Sequence, residues 1–126
     1  MRVHHLAFRT RDLERLEAFY ATLLGLPVAR RSERSVWLDA EGTLVMLELA
    51  GDDEPDVPRG SMEIAVFEVA PEERAERVER LRDAGFPVEA ETEFTTALRD
   101  PDGRRVGLSH YPHPRPHPRP SGGPRA

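Results

Sequence analysis

The 126-residue sequence contains no cysteine, which excludes disulfide bridges, zinc knuckles and thiol catalysis. That usage suits a reducing compartment. Lysine is missing as well: all 18 basic residues are arginine, so no lysine Schiff base is available. We read the arginine bias as a compositional habit of the source rather than a functional choice. No apolar run approaches the roughly 20 residues of a membrane span. The N-terminus reaches the charged stretch from His5 to Asp12 too soon for a basic region, an apolar core and a cleavage site. The expectation is a soluble, cytoplasmic protein with no membrane partner.

Several site signatures are absent too. There is no glycine-rich phosphate loop, no serine-centred elbow and no His-Glu-x-x-His helix. The net charge of −5 hides a split, because residues 111–126 hold Arg115, Arg119 and Arg125 and no acid. Residues 1–110 then carry 15 arginines against 23 acids, a balance of −8. An acidic body disfavours nucleic acid, whose binding depends on clustered basic residues that neutralise phosphates.

What is present is an internal repeat. Gly25-Leu26-Pro27-Val28 returns as Gly85-Phe86-Pro87-Val88 at an offset of 60, and Leu38 to Gly42 is answered by Arg99 to Gly103 at an offset of 61. Two separate signals at nearly equal spacing argue for tandem modules. In the first, Val3 to Arg9 alternates like a strand, with His5, Ala7 and Arg9 on one face and Leu6 and Phe8 on the other. Thr10 and Asp12 supply helix-start chemistry. Leu13, Leu16, Phe19, Tyr20, Leu23 and Leu24 predict one amphipathic helix, stopped by Gly25 and Pro27.

Arg30 to Ser35 reads as a polar turn, Ser35 to Leu38 as a short strand, Asp39 to Gly42 as a hairpin turn and Thr43 to Leu49 as a further strand. Gly51 to Gly60 carries two prolines and four acids between its glycines and reads as the linker. Ser61 to Val69 repeats the first strand. Pro71, Glu72 and Glu73 open a second helix with Ala75, Val78 and Leu81 buried, and Pro87 to Glu91, Phe94 to Arg99 and Arg104 to His110 follow as strands. The chain length suits one domain: module one at 1–50, linker 51–60, module two at 61–110. From Tyr111 the chain is rich in proline, histidine and arginine, and polyproline-like or disordered structure is expected. His113 and His117 lie in that tail.

The order βαβββ-βαβββ, with His5, Asp12-Leu13, Phe19-Tyr20, Leu24-Gly25, Leu47-Glu48-Leu49 and Asp100-Pro101-Asp102-Gly103, resembles the vicinal oxygen chelate superfamily over residues 1 to about 110. That group includes glyoxalase I, fosfomycin-resistance transferases, extradiol dioxygenases and bleomycin-binding proteins. The resemblance implies an α+β fold in which two tandem βαβββ modules form a curved mixed sheet around a cavity. It also implies a homodimer, and one divalent metal (Zn, Ni, Mn or Fe) held by inward side chains of the first and fourth strands of each module.

On that pattern His5 and Glu48 fall on ligand positions. His5 also reads as a histidine hydrogen-bonded at a strand end, and Glu48 as a sheet-edge or ion-paired acid. Pairing Ala65 with Ala7 sets Glu63 opposite His5 as a third ligand in place of the usual histidine, and a one-residue slip would substitute Met62 or Ile64. The fourth ligand, which in glyoxalase I also moves the proton, has no carboxylate here: its position is Gly107, or Ser109 by the internal repeat. Glu48 is the remaining candidate for the catalytic base. Arg9 matches a carboxylate-binding arginine of glyoxalase I, and reads equally as a rim salt bridge. Trp37 is either a stacking surface for a planar substrate or core.

Two functions follow from the resemblance. One is a glyoxalase-like, metal-dependent lyase or isomerase acting on a small substrate with vicinal oxygens, the ion serving as Lewis acid. The other is a metal-free protein of the bleomycin-resistance type, whose acidic groove with Glu48 and Glu63 would take a cationic small molecule. An assembly domain without a ligand remains a third possibility.

Overall fold

The computed structural model describes residues 1–113. The proline-rich tail from residue 114 onward, with His117, lies outside the described residues.

Alternating side chains build the first strand, β1 (His5–Thr10). Leu6 and Phe8 turn towards the core, while His5, Ala7 and Arg9 face solvent. Asp12 then caps the helix, its carboxylate accepting from the Arg15 amide at 3.1 Å and so satisfying an otherwise orphaned donor. The helix differs from the single α-helix expected. α1 (Leu13–Glu17) passes into a wide π turn over Ala18–Leu23. The Leu24 amide reaches the Phe19 carbonyl at 2.9 Å, and the Leu26 amide reaches that of Tyr20 at 3.0 Å. Widening the turn lets the neighbours Phe19 and Tyr20 both enter the core, where neither is more than 1% exposed. Gly25, at φ +86°, supplies the left-handed stop.

Strands β2 (Val28–Arg31), β3 (Ser35–Asp39) and β4 (Leu44–Leu49) complete the first module, in the sheet order β1-β4-β3-β2. Only β1 and β4 run parallel. β2 corrects the expected turn at Arg30. All four of its residues are exposed, so it has no alternation to read, and it owes its conformation to pairing with β3.

The second module repeats the plan with β5 (Ile64–Glu68), α2 (Pro71–Asp83), β6 (Val88–Glu91), β7 (Thr95–Arg99) and β8 (Arg105–Ser109), in the order β5-β8-β7-β6. The two tandem βαβββ modules expected are thus present, each forming one mixed sheet of four strands, with no ladder between the two among the described residues. One apolar cluster joins them instead. Leu16, Phe19, Tyr20 and Leu47 from the first module pack with Leu81, Leu98 and Val106 from the second. Phe19 meets Phe86 edge-on at 5.0 Å. Arg104 lies over the Phe8 ring at 5.1 Å and donates to the Arg9 carbonyl. The core thus occupies the helix-facing sides of the sheets, and the opposite face of each sheet is left open.

Candidate functional site

Register across β1, β4 and β3 arranges the open face of the first sheet in rows. His5 lies beside Leu44 and Asp39, Ala7 beside Met46 and Trp37, and Arg9 beside Glu48 and Ser35. The candidates His5, Arg9, Trp37 and Glu48 therefore share one surface.

At one end, the His5 ring lies 5.0 Å from Trp37. Its Nδ1 is 2.9 Å from Nδ1 of His4, so one ring donates a proton and the other accepts it. Arg30 holds its guanidinium 5.6 Å from the Trp37 ring centroid. The indole is half-buried, and Met46 stands between it and the small Ala7 in the same row. Arg30 was not a candidate from sequence, where it reads as part of a turn; its strand partner is Trp37.

At the other end, Arg9 binds two carboxylates. Nη1 donates to Glu48, while Nε (3.1 Å to Oε2) and Nη2 grip Glu54 in a fork. The Gly51 amide adds a bond to Glu54 at 3.0 Å. Arg11 fastens the same linker through Asp56 (3.1 Å), the Gly51 carbonyl (3.1 Å) and the Glu54 carbonyl. These contacts raise the Arg9 pKa and lower that of Glu54 to about 2, the Arg9 bond being the main cause and the Gly51 amide the second. Glu54 was not a candidate from sequence. Its only signal there is an acidic linker set against two arginines in Arg9-Thr10-Arg11.

The second sheet shows what became of the repeat. Ser35 pairs with Glu48 as Thr95 pairs with Ser109, so Ser109 is the counterpart of Glu48. Ala7 pairs with Met46 as Val66 pairs with Gly107, which makes Ile64 the counterpart of His5. This corrects the register that set Glu63 there. Glu63 precedes β5, is exposed, and is offset by one residue from the open-face series Ile64, Val66 and Glu68. A Cβ on Gly107 would meet Ile64 Cδ1 and Val66 Cγ2 at 3.1 Å, so those two side chains cover the place where the resembled enzymes carry a carboxylate.

The strand positions that the resemblance assigns to a metal thus hold His5, Glu48, Ile64 and, for the fourth, Gly107 or Ser109, neither of them a carboxylate. Glu48 is paired by Arg9, and it sits four residues along the ladder from the His5 row, about 13 Å at strand rise. Among the described residues no three His, Asp or Glu side chains are grouped to hold an ion. The donor set does not fit the implied metal. The acidic groove expected for a cation is also changed, since Arg9 and Arg30 stand among its acids.

A separate groove of about 790 Å³ is lined by Gly25, Ala40, Phe67, Pro71, Arg77 and His110, among others. None of the candidates lines it. Its Arg77 and Glu73 already pair at 2.6 Å.

Two mixed sheets with a shared helix-side core and open outer faces define a tandem βαβββ protein. The chain belongs to the Glyoxalase/Bleomycin resistance protein/Dioxygenase superfamily, whose family model matches residues 2–118. Among solved structures it is similar to a glyoxalase/dioxygenase from Nostoc punctiforme, with a TM-score of 0.72 and 18% identity over 85% of this chain and 88% of that one. A lactoylglutathione lyase from Agrobacterium tumefaciens gives a TM-score of 0.65 and 21% identity over 86% and 92%. A genomically encoded fosfomycin resistance protein from Listeria monocytogenes gives 0.71 and 17% over 86% and 90%. At these identities the likeness concerns the fold alone. No curated protein matches the chain. No helix among the described residues is long and apolar enough to cross a membrane.

Proposed function

We propose that the chain is a metal-free, cytoplasmic binding protein that takes a small planar molecule on the open face of its first sheet. The observation that carries this reading is Trp37, half-buried between His5 at 5.0 Å and Arg30 at 5.6 Å, with the small Ala7 in its row. An indole with a guanidinium over its ring and an imidazole beside it offers an aromatic surface with polar groups close by, as small-molecule sites do. A second copy of the chain, as the resemblance implies, would cover exposed Ile64 and Val66 on the open face of the second sheet.

The test is a ligand titration followed at the indole N–H of Trp37, the only tryptophan. The neutral probe 2-naphthylmethanol should shift that signal saturably in the wild type, and calorimetry should register its binding to the wild type and none to Trp37→Ala. No shift at any concentration would sink the reading.

The metal-dependent lyase or isomerase reading retains one supporting observation, the exposed imidazole of His5 on the open face. It requires Glu48 to leave Arg9. Metal analysis after growth with Zn, Ni, Mn or Fe separates the two readings: a stoichiometric ion lost in His5→Ala supports the enzyme and overturns the binding protein.

A further inference from the structure

We infer that Glu54 acts as a built-in occupant of the ligand site, and that the ligand it gives way to is an aromatic carboxylate. The inference rests on the proposed stacking surface at Trp37 and deepens it by naming the ligand class and the residue that selects it.

The argument begins with geometry. Arg9 uses Nη1 for Glu48 on the neighbouring strand, so Glu48 belongs to the sheet. The Nε–Nη2 edge is the edge of a guanidinium that receives a carboxylate in a fork, and here it holds a carboxylate from the linker 45 residues away. The site therefore already displays its preference by binding one. The position of that edge matters as well. Arg9 lies two residues beyond Ala7, in whose row Met46 and Trp37 stand, a step of about 7 Å along the strand. β4 lies between the strands of Trp37 and Arg9, so a flat ring on Trp37 reaches across Met46 to present a carboxylate to Arg9.

The manner in which the linker is held makes displacement reasonable. Glu54 is tied by a side chain and by the Gly51 amide, with its side chain 32% exposed, whereas the linker backbone is fastened separately by Arg11. Arg11 can therefore keep the linker in place while the Glu54 carboxylate swings out. A ligand without a carboxylate has no means of displacing it. A ligand with one exchanges a charge-assisted fork for another of the same kind, so the competition is close to balanced and a change at Glu54 shifts it.

The experiment compares 2-naphthoate with neutral 2-naphthylmethanol, both followed at the Trp37 indole N–H, in the wild type and in Glu54→Gln. Glutamine keeps the size of the side chain and removes its charge. We expect Glu54→Gln to tighten 2-naphthoate about tenfold while leaving 2-naphthylmethanol within twofold. A second measurement needs no variant: saturating 2-naphthoate should speed hydrogen exchange at the Gly51 amide, which loses its bond to Glu54, and 2-naphthylmethanol should not. Binding of both probes with equal affinity in both proteins and an unchanged Gly51 amide overturns the role of Glu54 while leaving the stacking surface standing. Absence of binding by either probe to either protein overturns both.

Discussion

The Tyr20 hydroxyl donates a 2.6 Å hydrogen bond to Asp100 Oδ2 across 80 residues of sequence and from one module to the other. Both groups are buried, at 0% and 4% exposure. The same carboxylate accepts from the Asp102 amide at 2.8 Å, from the Arg104 amide at 3.1 Å and from the Arg104 guanidinium at 3.2 Å, so one side chain both closes the Asp-Pro-Asp-Gly turn and receives the first module's helix. Burial, reinforced by the nearby Asp100, raises the Tyr20 pKa and keeps the phenol a donor.

Replacing Tyr20 by Phe keeps the ring packing and removes one bond to a charged acceptor. The expected cost is about 2 kcal/mol in urea unfolding, within the range for hydrogen bonds to ionised groups. Asp100→Ala removes the acceptor of four bonds and should cost more, about 3–5 kcal/mol, because Arg104 is left without its buried partner. Equal stability of wild type and Tyr20→Phe would show that this hydrogen bond adds nothing to the joining of the modules.

The Arg9–Glu54 pair makes a prediction about pH. A carboxylate whose folded pKa is depressed stabilises the folded state fully above its unfolded value and loses that contribution as pH falls towards the folded value. For Glu54 the window runs from its ordinary 4.5 down to about 2. Carboxyl-carbon NMR should find a Glu54 midpoint near 2 and, over the same range, loss of protection at the Gly51 amide. In Arg9→Gln the midpoint should return towards 4.5. A wild-type midpoint above 4 would mean that the fork is not formed in solution.

Glu54 marks the limit of what the sequence alone reveals. The alternation of Leu6 and Phe8 against His5, Ala7 and Arg9 was legible because one face of β1 is buried, and the glycine stops at Gly25 and Gly85 were legible because both adopt positive φ. β2 was not, since none of its residues is buried and only pairing with β3 defines it. The register of β5 was misjudged for a related reason. Ile64 and Val66 are apolar on the open face, so both faces of the strand look alike in sequence and a one-residue slip carries no signal. At the site, parity put His5 and Arg9 on one face of β1, while Trp37 read as either core or stacking surface, and only the strand pairing brings both it and Glu48 onto that face. Sequence did not reveal which carboxylate Arg9 would take, because that depends on how the linker folds back on Arg9 and Arg11.

Arg77 joins α2 to the end of the first module. Its Nε donates to the Leu24 carbonyl at 2.8 Å, and Arg80 reaches the Leu23 carbonyl at 3.2 Å. Carbonyls at a helix end lack intrahelical donors, and cations there also meet the negative end of the helix dipole. Arg77→Met should preserve the stem packing and cost about 1 kcal/mol. The double variant with Arg80→Met should cost less than twice as much, since both act on the same turn. Urea unfolding of the two single variants and the double measures the coupling.

The open face of the second sheet makes the last prediction. Val66 is 49% exposed and Ile64 36%, and the two lie over Gly107, where no side chain rises between them. β-Branched residues on a bare sheet face, with β5 also at the sheet edge, form a surface suited to burial against another protein surface. If a second copy covers it, a charge at Val66 would be taken out of water without a partner, which costs several kcal/mol per ion and exceeds what an interface of modest size returns. Val66→Glu should therefore sediment as a monomer where the wild type sediments as a dimer, with thermal stability falling in step with the lost association. Val66→Thr, which keeps the branched shape without a charge, should remain dimeric. A wild-type protein that is monomeric at all concentrations tested would remove the second copy from the account of this face and leave the first-sheet site as a property of one chain.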